Sequence, residues 1–158
     1  MNRPTLEKDP MAFAEHEVLV QRDAMTVYTY LLNGLNLPAW QQGIRSISLS
    51  SGSAGSAGAR YQLTLTGPRG RPIAGDFEIT HARPGAEIRF QVVAGPTLPR
   101  GGFYLSTEGA GTRVRFALES PLKGLRSLAR PAVQRRLKAR VAQLERLKAV
   151  LEERPTAG

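Results

Sequence analysis

The chain is 158 residues long, the length of one domain, and its 41% hydrophobic and 22% charged residues are typical of a globular protein. No apolar run approaches the roughly 20 residues that cross a bilayer, and the lack of cysteine excludes disulfides, thiolate metal ligands and cysteine nucleophiles. The net charge of +9 is concentrated in residues 121–158, which hold ten Lys and Arg against three Glu.

The first 13 residues are polar and predicted to be flexible, and the segment after them predicts a strand. Glu7 and Asp9 lie where a signal peptide would carry its apolar region, which favours a cytoplasmic location. The run EHEVLVQRD alternates as a strand does, with His16, Val18 and Val20 on one face.

Two short helices are predicted next. AMTVYTYLLNG has an apolar helical face and ends at Asn33-Gly34, a common helix stop. LNLPAWQQ predicts a second helix, with Pro38 near its first turn and the single tryptophan of the chain, Trp40, inside it.

Six antiparallel strands are predicted between residues 44 and 120, separated by loops rich in glycine and proline. They are IRSISLSS, ARYQLTLTG, PIAGDFEITH, AEIRFQVVAG, GGFYLSTEG and TRVRFALES. Because residues two apart share a face of a sheet, one face collects apolar side chains: Ile47, Leu49, Tyr61, Leu63, Leu65, Phe77, Ile79, Ile88, Phe90, Val92, Phe103, Leu105, Val114, Phe116 and Leu118. Every Asp and Glu of these strands falls on the opposite face, so the apolar face is predicted to lack carboxylates.

The last predicted element is one long amphipathic helix over residues 131–153. Its apolar positions recur at spacings of three, four and seven, which predicts a single buried stripe. The stripe consists of Val133, Leu137, Val141, Leu144, Leu147 and Leu151. Such a stripe needs an apolar surface to pack on, and the apolar face of the strands supplies it.

An opening strand, two short helices, six antiparallel strands and a long final helix resemble the START-like superfamily. This is the SRPBCC or Bet v 1-like group, which includes the polyketide cyclase/dehydrase and lipid transport proteins. Local cues are the runs DFEITHARPGAEIRF, RGGFYLSTEGAGTRVRFALES and LERLKAVLEE. The resemblance implies an α+β helix-grip fold, in which a curved antiparallel sheet of about seven strands wraps around the last helix and leaves a hydrophobic cavity. It implies one domain over residues 14–153, with flexible termini at 1–13 and 154–158.

The cavity implied by this resemblance predicts a set of ligand-binding residues. They are Trp40, Tyr61, Phe77, Ile79, Phe90, Phe103, Phe116, Leu137 and Val141. The hydroxyl of Tyr61 either orients a ligand or bonds to the backbone within the core. Trp40 is either a gate to the pocket or an anchor of the core.

No catalytic residue, metal site or cofactor is predicted. In the implied topology His16 and His81 lie at opposite ends of the sheet, each with a local hydrogen bond, so they do not form a shared metal site. The glycine-containing runs GPRGRP and GAGT lack the strand-to-helix context of a phosphate-binding loop and are interpreted as hairpin turns.

The basic residues of the C-terminal segment surround the apolar stripe. They are Lys123, Arg126, Arg130, Arg135, Arg136, Lys138, Arg140, Arg146 and Lys148. The favoured interpretation is a solvated helix face, because the apolar stripe cannot serve both the sheet and a membrane. Weak contact with an anionic membrane is the alternative, and nucleic acid is not expected as a partner because no aromatic residue interleaves with these charges.

Three functions remain open at this point. The first is binding or transfer of a hydrophobic small molecule such as a lipid, polyketide or isoprenoid. The second is an enzyme of the aromatase/cyclase type that acts on a polyketide-like substrate, in which the fold itself orients a reactive chain. The third is a module that binds anionic surfaces through the basic helix.

Overall fold

One antiparallel sheet and a set of helices packed on it make up the computed structural model, which describes residues 11–122 and 124–155, without the side chains of residues 125 and 126. The strands are β1 (Met11–Val20), β2 (Ile44–Ser51), β3 (Arg60–Thr66), β4 (Pro72–Ala74), β5 (Phe77–Arg83), β6 (Glu87–Val92), β7 (Arg100–Glu108) and β8 (Gly111–Pro121). The α-helices are α1 (Ala24–Leu32), α2 (Arg130–Ala142) and α3 (Leu144–Glu153). Short 3-10 helices span Gly34–Ala39, Pro68–Gly70 and Gly124–Ala129.

The strands are ordered β1-β8-β7-β6-β5-β3-β2, with β4 paired to β3, and every pairing is antiparallel. Helix α2 packs on β1 and β8, α3 packs on β1, and α1 contacts β6, β7 and β8. This arrangement confirms the predicted helix-grip fold. Strand β1 begins at Met11, three residues before the predicted domain start, because residues 11–13 pair with the end of β8. Of the other residues predicted to be flexible at the termini, 1–10 and 156–158 lie outside the described residues, and the Arg154 carbonyl accepts from the Arg22 guanidinium at 2.8 Å.

The predicted strand PIAGDFEITH is divided into β4 and β5. The division occurs at Gly75 and Asp76, which both bond to the backbone of Leu63 in β3. The Gly75 N–H donates to the Leu63 carbonyl at 2.8 Å, and the Asp76 carboxylate accepts from the Leu63 N–H at 3.0 Å. The chain thus keeps the hydrogen bonds of β3 satisfied while it bends.

The inner face of the sheet carries the core, as the alternation predicts. The inward residues of β3 and β5 to β8 are mostly buried, and the aromatic rings among them contact one another across the strands. Leu49 is an exception with 37% exposure, since β2 lies at the sheet edge away from α2 and α3. The outer face carries cross-strand ion pairs such as Arg60–Glu78 at 2.7 Å and Arg115–Glu15 at 3.0 Å.

Glu87 is a buried carboxylate on this outer face. It accepts hydrogen bonds from Arg89 and Arg83, which hold the pKa of the Glu87 carboxyl below its usual range. Glu87 thus points outward like the other acidic residues of the strands, although its side chain is buried.

The predicted second helix is a 3-10 helix that ends one residue before Trp40. Asn33 ends α1 and caps this 3-10 helix, where its side chain accepts from the N–H of Leu35 at 3.0 Å. The early end of the helix frees residues 40–42 to reach the C-terminal helices.

Each of the three consecutive residues 40–42 forms a hydrogen bond with the C-terminal helical segment. The Trp40 carbonyl accepts from the Arg146 guanidinium at 3.1 Å, and the Gln42 N–H donates to the Gln143 side chain at 3.3 Å. Between them, the Gln41 carboxamide bonds Arg140 twice: its Nε2 donates to the carbonyl at 3.1 Å, and its Oε1 accepts from Nη1 at 3.3 Å.

The long C-terminal helical segment is interrupted at Gln143, where one uninterrupted helix over 131–153 was predicted. The Gln143 N–H donates to the carbonyl of Arg140, three residues back, at 3.2 Å. That carbonyl also accepts from the Gln41 side chain, and a side chain that enters the helical hydrogen-bond ladder is a known cause of a kink.

Gln41→Ala is expected to lower the free energy of unfolding by about 1–3 kcal/mol, because it removes both side-chain bonds of a residue that is 4% exposed. Gln42→Ala is the matched control, since Gln42 is exposed and contributes its backbone N–H to the contact. The control is expected to change stability by less than about 0.5 kcal/mol. Urea unfolding of both variants tests this, and equal losses would contradict it.

Candidate functional site

A cavity of about 450 Å³ lies between the inner face of the sheet and α2. Its walls come from α1, the segment from Gly34 to Gln41, the strands β2 to β8, α2 and the loops around β4 and before β7. Most of the lining is apolar: Leu31, Leu37, Ile44, Leu63, Leu65, Ile73, Phe77, Ile79, Ile88, Phe90, Val92, Phe103, Phe116, Leu118 and Leu137. Alternation along the strands thus produces a concave apolar surface.

The cavity has a buried end and an exposed end. At the buried end, Phe103 and Phe116 stack with ring centroids 4.4 Å apart. At the other end the lining residues Pro68, Pro96 and Arg136 are exposed, which places the mouth between two loops and α2. The loop that carries Pro96 closely approaches the end of β4, since a Cβ at Gly95 would lie 2.3 Å from the Ala74 carbonyl.

Six of the nine residues predicted to bind ligand line the cavity. They are Phe77, Ile79, Phe90, Phe103, Phe116 and Leu137. The other three, Trp40, Tyr61 and Val141, are at most 1% exposed and are not among the lining residues. They lie behind the wall, where they fix the positions of the residues that form it.

Tyr61 and Trp40 illustrate this supporting position. The Tyr61 hydroxyl accepts from the Gly34 N–H at 3.1 Å, and its ring stacks on Phe77 at 5.1 Å. A Cβ on Gly34 would lie 2.9 Å from the Tyr61 ring, so this close approach needs glycine. Trp40 packs edge-on against Phe103 and Phe116, with ring centroids 5.9 Å apart in each case. Trp40 therefore lies where the alternative of a core anchor places it.

Four lining residues have polar side chains: Gln41, Thr97, Arg136 and Arg140. None of the lining residues is Asp, Glu, His or Tyr, as the alternation predicts for the carboxylates. As far as the described residues form it, the cavity wall therefore carries positive charge and no negative charge.

Arg140 was predicted to lie on a solvated face, and this interpretation was wrong. It is half-buried and lines the cavity with Leu137 and Arg136, from which it is three and four residues away. Residues at these spacings share a helix face, so the signal is present in the sequence. Burial lowers the pKa of the Arg140 guanidinium.

Other basic residues of the C-terminal segment also bind partners in the fold. Arg130 donates to the Met11 carbonyl at 2.9 Å, and Lys148 donates to the Leu19 carbonyl at 2.7 Å. With Arg140 and Arg146, four of the nine predicted residues attach the helices to the rest of the chain. Lys123 and the side chain of Arg126 lie outside the described residues.

The histidines lie apart from the cavity. His16 is in the middle of β1 and bonds Glu145 of α3 through Nε2 at 2.7 Å, a long-range contact where a local one was predicted. His81 bonds the neighbouring Thr80 at 3.1 Å, which is local as predicted. Within the described ranges no group of three or more His, Asp or Glu is arranged to hold a metal ion.

No helix in the part of the chain that the structure describes has the length and apolarity to cross a membrane.

Solved structures with the same fold cover almost the whole chain. TTHA0849 from Thermus thermophilus is 20% identical with a TM-score of 0.72, and the match covers 90% of this chain and 97% of that one. The di-domain ARO/CYC StfQ from the steffimycin biosynthetic pathway is 19% identical with a TM-score of 0.76 over 90% of this chain. The match covers 51% of StfQ. Major latex-like protein 151 from Panax ginseng is 14% identical with a TM-score of 0.61, over 89% of this chain and 97% of that one.

No curated protein sequence matches the chain. The family model described as polyketide cyclase / dehydrase and lipid transport matches residues 11–152, which include the whole sheet and all but the last residue of α3. The chain therefore belongs to the polyketide cyclase/dehydrase and lipid transport family.

Proposed function

We propose that this protein binds or transfers a hydrophobic small molecule, such as a lipid, polyketide or isoprenoid, in the cavity between the sheet and α2. The observation that carries this proposal is the lining, which is apolar except for four side chains. Apolar lining with a few polar groups is the usual composition of small-molecule sites. Binding of an apolar ligand there is favourable because its surface is removed from water.

The size of the cavity fits this proposal. Sites for small organic ligands have volumes of roughly 300–1,000 Å³, and this cavity has about 450 Å³. The exposed residues Pro68, Pro96 and Arg136 provide a route for entry from solvent. A small organic molecule with a largely apolar body is therefore the kind of ligand we expect.

The alternative of a cyclase-type enzyme receives less support from the same lining. General acid–base catalysis needs a group that exchanges a proton near neutral pH. The polar lining groups are a carboxamide, a hydroxyl and two guanidinium groups, none of which does so. A reaction in this cavity would depend on orientation of the substrate and on the positive charge.

The alternative of an anionic surface-binding module is also weaker. Arg130, Arg140, Arg146 and Lys148 already bind acceptors within the fold. Arg135, Arg136 and Lys138 are exposed and leave a smaller basic surface than the sequence suggests.

Val92→Trp is expected to reduce binding of N-phenyl-1-naphthylamine at least tenfold. This neutral dye fluoresces more strongly in apolar surroundings, and the larger side chain would occupy the cavity that Val92 lines. A fluorescence titration measures the change in Kd.

Val93→Trp is the matched control, because Val93 is 37% exposed and does not line the cavity. We expect wild-type dye binding for this variant. Equal binding by the wild type and both variants would place the dye elsewhere and contradict the proposal.

Leu144→Ala is expected to cost about 2–5 kcal/mol of unfolding free energy, because Leu144 is fully buried in packed core. Leu137→Ala is expected to cost measurably less, since Leu137 borders space that is already open. Chemical denaturation of the two variants compares these costs. Equal losses would indicate that the space beside Leu137 is filled in the folded protein.

A further inference from the structure

We infer that Arg140 recognises the carboxylate of an otherwise apolar ligand in the cavity. This inference rests on the proposed function and adds the chemical class of the ligand: a monocarboxylic acid with an apolar body. Three features of the cavity support it, and they concern the charge of Arg140, the donors of Arg140 that have no acceptor among the described residues, and the distribution of apolar surface around it.

The first feature is a positive charge without a counter-charge. The described residues place no carboxylate against Arg140, whereas the arginines of the outer face, such as Arg60 and Arg115, pair with glutamates. The Arg140 side chain is half-buried, so its guanidinium is partly removed from water, and this burial lowers its pKa. A charge that has lost part of its hydration and has no counter-charge is costly, so an anion that reaches it is bound favourably.

The second feature is the set of donors that Gln41 leaves unused. Gln41 engages Nη1 of Arg140 at 3.3 Å and holds the helix carbonyl beside it. Among the described residues Nε and Nη2 of Arg140 have no acceptor. These two donors lie on one edge of the guanidinium and match the two oxygens of a carboxylate. Gln41 is thus a positioning residue, and Arg140 is the residue that binds.

The third feature is the separation of charge from apolar surface. Arg136 and Arg140 lie on α2, and the opposing wall is formed by strand residues that include Phe90, Phe103 and Phe116. Arg136 is exposed at the mouth and adds a second positive charge there. A ligand with one charged end and an apolar body fits this division, because its body can lie on the aromatic wall while its end meets the helix.

The test uses dodecanoate and dodecan-1-ol, which share a carbon chain and differ in charge. Each displaces N-phenyl-1-naphthylamine from the full-length protein at constant ionic strength, below the concentrations at which micelles form. We expect dodecanoate to bind about 10-fold to 100-fold more tightly than dodecan-1-ol, the preference that a charged hydrogen-bonded pair supplies.

Arg140→Met is expected to abolish this preference, because the variant lacks both the charge and the paired donors. Arg140→Lys keeps the charge but lacks the paired donors, so we expect a reduced preference. Circular dichroism shows whether each variant folds. If Arg140→Met does not fold, the preference of Arg140→Lys tests the inference instead. Arg135→Met is the matched control, because Arg135 is exposed on the same helix and does not line the cavity.

The outcomes separate this inference from the proposed function. Equal binding of dodecanoate and dodecan-1-ol by the wild type would overturn the inference while apolar binding stands. A preference that is unchanged in a folded Arg140 variant, or lost in Arg135→Met, would also overturn it. Failure of the wild type to bind the dye or either ligand would contradict the proposed function itself.

Discussion

The double contact between the Gln41 carboxamide and Arg140 is the interaction on which the arrangement of the cavity depends. It joins the segment after the first helical pair to the C-terminal helices, across 99 residues of sequence. Its bond to the Arg140 carbonyl coincides with the interruption of the helix before Gln143. Its bond to the guanidinium holds that charge at the cavity wall. A single buried amide thereby sets both the course of the helix and the direction of its charge.

The cavity itself follows from a simpler constraint, the alternation of side chains along antiparallel strands. An alternating pattern sends the carboxylates of the strands outward and most of the large apolar residues inward. The helices then cover only part of the inner face, because α2 and α3 pack mainly on β1 and β8. The strands from β2 to β6 remain without helical cover over part of their length, and their apolar side chains border open space.

The sequence predicts the element order and the apolar face because both depend on local periodicity. The division between β4 and β5 also has a local signal in Gly75-Asp76, although the bonds to Leu63 that explain it are tertiary. The site is less predictable. Tyr61 lies behind the cavity wall, where it bonds the Gly34 N–H. The spacing of Arg140 from Leu137 places it on the cavity face of the helix, but the sequence does not show that Gln41 bonds its guanidinium. Each of these contacts joins residues far apart in the sequence, where periodicity carries no information.

An apolar cavity alone distinguishes poorly between ligands, since removal of apolar surface from water has no direction. A charged group that requires a hydrogen-bond acceptor, such as the Arg140 guanidinium, allows the cavity to distinguish between ligands. If a ligand without an acceptor fills the space beside Arg140, it excludes water and leaves the guanidinium without compensation, which costs more than a missing methylene in a hydrophobic pocket. A ligand with a carboxylate regains that loss. The specificity of the cavity therefore comes from the free-energy cost of leaving Arg140 unpaired when a ligand without an acceptor binds. The aromatic wall contributes affinity for ligands with and without a carboxylate.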